Sequence, residues 1–84
     1  MLQALGNSVR LKVAMMLYEK EILSFENIYE SLGENVNKGE LAYHLAILGV
    51  GGVIDKKMSK YVLSKEGKKL LTELLEEYDK ANPS

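Results

Sequence analysis

Between residues 37 and 60 the chain places Asn37, Lys38, Tyr43, His44, Lys56, Lys57 and Lys60, side chains whose chemistry suits a phosphate-bearing polymer. Ammonium groups pair with phosphate oxygens, and an amide or phenol can hydrogen-bond to a phosphate or a base edge. Each has an ordinary structural alternative: a solvated lysine face, or surface packing for Tyr43. His44 lies beside leucines, where a lone histidine equally suits a packed position. Glu40 could accept from cytosine, but it sits three residues after Asn37. That spacing fits a helix cap, and a carboxylate near phosphates is repelled, so it is read as structural. No arginine occurs between 37 and 50. The bidentate guanidinium fork to guanine is therefore missing there, and discrimination must be modest or rest on DNA shape.

Other chemistries are poorly supported. The chain has no cysteine and one histidine, so neither a metal site nor a disulfide is expected. Gly49-Val50-Gly51-Gly52 lacks the lysine and hydroxyl residue of a phosphate-cradling loop. No catalytic residue, metal or cofactor is expected, and the chain is not read as an enzyme. No apolar run reaches the roughly 18 residues of a membrane span, and Met1-Leu2-Gln3-Ala4 lacks the pattern of a signal peptide. The expectation is a soluble, cytoplasmic protein without a membrane partner.

The net charge of −1 over 84 residues conceals an uneven distribution. Residues 1–36 carry three basic and five acidic side chains, residues 37–69 seven lysines and three acids, and residues 70–84 one lysine and four acids. The middle segment is thus the positive one, and phosphate binding responds to local potential rather than to the chain's sum.

The elements that must position these groups follow from periodicity and punctuation. Leu2 to Leu5 forms a short turn stopped at Gly6. Asn7 or Ser8 caps a helix from about Val9 to Tyr18 whose apolar residues suit a helix touched on several sides, with Arg10 and Lys12 on its wet edge. Ile22-Leu23 can make a minimal strand; Ser24 caps a helix bearing Phe25, Ile28, Tyr29 and Leu32, and Gly33 ends it. Asn37 and Glu40 resemble a capping box, opening a helix with Leu41, Leu45 and Leu48 turned inward. Gly51 and Gly52 allow positive φ and a sharp exit into Val53–Met58 and Lys60–Leu63, which pair as a hairpin turning near Ser59. Ser64 caps a last helix from Lys65 to Asp79, and Asn82-Pro83 stops it.

This order predicts a single mainly α (α+β) domain over 1–84, a winged helix-turn-helix. The recognition helix is 37–50, the β-hairpin wing 53–63 and the C-terminal dimerisation helix 64–79. Double-stranded DNA is the expected partner. A chain this short buries little core alone, and Leu70, Leu71, Leu74, Leu75 and Tyr78, which could simply close the monomer's core, form a stripe wider than one contact line. Joined by Leu2 and Leu5, they are expected to hold a homodimer, spacing the two recognition helices by about 34 Å, one DNA turn.

Several segments resemble the ArsR-like winged helix-turn-helix regulators, in particular an archaeal-type branch without a metal site. The resemblance rests on Leu5-Gly6-Asn7-Ser8-Val9-Arg10-Leu11, on Leu41-Ala42-Tyr43-His44-Leu45 with Leu48, on Gly52-Val53-Ile54, and on Tyr61-Val62-Leu63-Ser64-Lys65-Glu66-Gly67. It covers nearly the whole chain. It implies a homodimer clamped by its terminal helices that binds a two-fold symmetric operator and represses transcription. Many members carry serines five and two residues before the histidine; here those positions are Gly39 and Ala42, so two polar contacts are lost. The cysteine-containing metal motif is absent, and metal sensing is not implied. The rival expectation is a winged helix that serves the transcription machinery as a protein-protein interaction module, with little or no DNA binding.

Overall fold

In the computed structural model, which describes residues 1–81, a 3-10 turn at Leu2–Leu5 precedes four helices and three short strands. These are α1 (Ser8–Lys20), β1 (Ile22–Ser24), α2 (Phe25–Leu32), α3 (Lys38–Val50), β2 (Ile54–Lys57), β3 (Lys60–Leu63) and α4 (Lys65–Ala81). The fold is a winged helix. The expected stop at Asn82-Pro83 lies outside the described residues.

Capping side chains set the helix starts. Asn7 Oδ1 accepts from the backbone N–H groups of Val9 and Arg10 at 2.9 and 3.1 Å, so Asn7 and not Ser8 opens α1. Ser24 Oγ accepts from Asn27 N at 3.1 Å. Asn37 Oδ1 accepts from Glu40 N at 2.8 Å, but the Glu40 carboxylate takes the Asn37 side-chain amide at 2.8 Å, a variant of the reciprocal box that the spacing predicts. Helix α1 runs two residues past the expected Tyr18 and ends at Glu21, whose φ is +72°. The expected loop after Gly33 contains a 3-10 turn, Gly33–Asn35, which delivers Val36 into the core.

Leu41, Leu45 and Leu48 of α3 are buried, as their spacing requires, and meet Val13, Ala14 and Leu17 of α1 with Ile28 and Leu32 of α2 in one core. The exit from α3 divides its two glycines between different tasks. Gly52 takes the positive φ, +78°, whereas Gly51 keeps a helical φ of −73°. Gly51 is needed for a close approach, since a Cβ there would stand 2.9 Å from the Ala4 methyl.

The wing is shorter than expected: Val53 lies outside β2, and Met58 with Ser59 forms a two-residue tip. The sheet order is β1-β3-β2, with Ile22, Leu23 and Ser24 antiparallel to Val62, Tyr61 and Lys60. The wing is therefore anchored on one side by the strand that follows α1. At the tip Met58 is 96 % exposed with φ +58°. An L side chain in this region costs roughly 1–2 kcal/mol, part of which a glycine gives back through unfolded-chain entropy. Met58→Gly is expected to raise stability by about 0.5–1 kcal/mol, measurable as a higher urea midpoint; an unchanged or lower midpoint would show that the tip is unstrained.

Candidate nucleic-acid interface

Helix α3 and its N-cap carry four of the expected contact residues, and the structure commits two of them, Asn37 and His44, to internal hydrogen bonds. Asn37 is occupied in both directions by the cap to Glu40. The Lys38 ammonium lies 3.4 Å from a Glu26 carboxylate oxygen and 5.3 Å from the centroid of the Tyr29 ring. Both ends of that ion pair are exposed, so it contributes little and competes weakly with a phosphate. His44 is half-buried, and its Nδ1 accepts from the Arg10 guanidinium at 3.1 Å. Tyr43 is 63 % exposed, its ring tilted against that of His44 at 5.5 Å.

Arg10 is the residue that sequence reasoning placed wrongly. It is not on a wet edge. Its side chain is half-buried, Nε donating to Ala4 O at 2.7 Å and Nη1 to His44, so that one guanidinium ties the N-terminal turn, α1 and α3 together. Nothing in local spacing links residue 10 to residue 44.

Pairing register sorts the wing lysines onto two faces. Because side chains alternate along a strand, Ile54, Lys56, Tyr61 and Leu63 share the face turned toward the core, and Asp55, Lys57, Lys60 and Val62 share the other. The Lys56 ammonium lies 5.6 Å from the Tyr61 ring centroid. Lys57 and Lys60 are directly opposite each other, and like charges so placed repel. Among the described residues the ion pair is Lys38 with Glu26, so no wing lysine has a carboxylate partner there. Between α3 and the wing lies a cleft of about 280 Å³ whose walls include Ala42, Ala46, Gly49, Ile54, Lys56 and Tyr61.

The residues expected to hold a second copy are not all at the surface. Leu5 and Leu71, 7 % and 2 % exposed, lie inside the domain's own core, because the N-terminal turn and the first half of α4 close that core. They are therefore removed from the expected contact set. Leu70 is partly buried against the core, and Leu2 is exposed on the N-terminal turn. Leu74, Leu75 and Tyr78 line a groove of about 530 Å³, and its opposite wall is Leu11 and Met15 of α1. Those two are 36 % and 45 % exposed.

Among the described residues no group of histidine, cysteine, aspartate or glutamate could hold a metal ion, and no helix is long and apolar enough to cross a membrane. Residues 1–74 match a family described as a domain of unknown function, DUF7347. No curated protein matches the chain. Among solved structures, HlyU from Vibrio cholerae N16961 superposes with a TM-score of 0.75 at 29 % identity, covering 92 % of this chain and 86 % of that one. A transcriptional regulator homologue from Pyrococcus horikoshii OT3 superposes with a TM-score of 0.73 at 22 % identity, covering 95 % of this chain and 89 % of its own, a likeness of fold.

Proposed function

The chain belongs to the DUF7347 family, and we propose that this member is a sequence-specific double-stranded DNA-binding transcriptional regulator of the ArsR-like, archaeal type without a metal site. It works in the cytoplasm as a homodimer on a two-fold symmetric operator and represses by occlusion. The observation that carries this reading is the wing: Lys57 and Lys60 stand opposite each other with Lys56 on the reverse face, next to the exposed side of α3. A phosphate drawn to the tip relieves the repulsion that the free hairpin bears. The name of the Pyrococcus protein, a transcriptional regulator homologue, agrees with this reading.

Titration of a duplex at several salt concentrations tests it. Two wings of three lysines predict a slope of about −5 for log affinity against log salt. Absence of duplex affinity at low salt would remove the DNA reading. It would favour the protein-interaction module, which the apolar exposed residues Ala42, Ala46 and Val50 of α3 also suit.

The homodimer rests on the apolar groove between α1 and α4 and on the charge order of α4. Lys65, Lys68 and Lys69 outnumber Glu66 in its first half, and Glu73, Glu76, Glu77 and Asp79 outnumber Lys80 in its second. Two copies packed antiparallel about a two-fold axis set each basic half against an acidic one. Met15→Lys with Leu74→Lys is expected to convert a dimer to a monomer in light scattering while the circular dichroism spectrum is kept, since both side chains are already exposed. A wild type that is monomeric at every practical concentration would end the proposal.

A further inference from the structure

We infer that the duplex face taken by α3 is a thymine-rich major groove, read through the 5-methyl groups of thymine by Ala42 and Ala46, with Lys56 holding the adjacent phosphate. This rests on the DNA-binding reading above and names its base preference. On the exposed side of α3, Asn37 is engaged with Glu40 and His44 Nδ1 with Arg10, whereas Lys38, weakly held by Glu26, stays open to a phosphate rather than to a base edge. The surface that remains is Gly39, Ala42, Tyr43, Ala46, Gly49 and Val50, all exposed, with Val50 at 92 % and the Tyr43 phenol as the polar group.

A·T and G·C edges both carry donors and acceptors in the major groove, so leaving them unpaired against methyls and bare backbone costs about the same for either pair, and the thymine methyl is what distinguishes them. Thymine is the base that displays an apolar group in the major groove, and alanine is a side chain short enough to meet it at close helix approach. The cleft supplies the shape. Ala42, Ala46 and Gly49 form one wall, and the opposite wall carries Lys56, its ammonium near the Tyr61 ring. Lys56 is thus the wing cation on the same side as the reading surface, whereas Lys57 and Lys60 share the reverse face.

The test uses three duplexes of about two helical turns: an alternating A·T sequence, the same sequence with deoxyuridine for thymidine, and a G·C sequence. Uracil removes only the major-groove methyl; the phosphates and the minor-groove acceptors stay the same. Burial of one methyl is worth about a three- to fivefold change in affinity. Two methyls per α3 therefore predict about a tenfold or greater preference for the thymine duplex over its uracil counterpart. The Ala42→Ser, Ala46→Ser variant, altered only at exposed positions, is expected to lose that preference while keeping the salt dependence. Equal affinity of the wild type for the thymine and uracil duplexes overturns the inference and leaves the DNA reading standing, as does a preference that survives in the serine variant. Failure to bind any of the three at low salt overturns both.

Discussion

Gly67→Ala is expected to lower the stability of the domain by about 3 kcal/mol, a large part of what a domain this small possesses. Gly67 sits where the start of α4 crosses the chain entering the wing, and a Cβ there would collide with the carbonyl of Val53. Neither side can retreat. Val53 is fully buried, its carbonyl accepts from Ser64 N at 2.9 Å, and the Ser64 hydroxyl donates to Gly52 O at 2.6 Å while accepting from Gly67 N at 2.8 Å. The joint fastens the wing to α4, so overpacking it strains both. Urea unfolding should show a much lower midpoint with an unchanged slope. Gly49→Ala is the internal contrast: a Cβ there meets open space, and alanine in a helix stabilises by up to about 1 kcal/mol over glycine. Equal midpoints for the two variants would show that the joint yields.

The triple replacement Lys56→Gln, Lys57→Gln, Lys60→Gln is expected to weaken duplex binding on the order of 100-fold or more at about 0.1 M salt, and to flatten most of the salt dependence. Each lysine that holds a phosphate releases a counterion, so its loss acts on affinity and slope together. All three side chains are exposed and outside the core, and glutamine keeps most of the stem. Removing the Lys57–Lys60 repulsion should leave the hairpin at least as stable. A triple variant that binds as tightly as the wild type, with the same slope, would place the electrostatic grip elsewhere.

The two experiments probe parts of the chain that were unequally legible. Asn7, Ser24, Asn37 and Ser64 announce helix starts through their own short side chains, and Leu41, Leu45 and Leu48 announce a buried face through period alone; these interactions span at most seven residues. The candidate site was legible as a set of residues but not as an arrangement. Lys56, Lys57 and Lys60 read as one basic cluster, and the register of β2 against β3 divided them. His44 read as equally a contact or a packed residue, and Arg10, thirty-four positions away, took its Nδ1. The stripe of α4 read as a contact surface, yet Leu71 closes the domain's own core while Leu74 and Tyr78 stay outside.

The order of elements, their caps, the inward leucines and the positive middle segment were determined by the sequence itself, because each depends on neighbours within a turn or two of chain. Tertiary structure decided which polar groups of α3 are already engaged, which lysine shares a cleft with its exposed face, and which leucines stay exposed. Those outcomes depend on distances between residues far apart in the chain, set by how the helices pack and by the register of the strands. Local pattern specifies faces, and only packing specifies what each face meets.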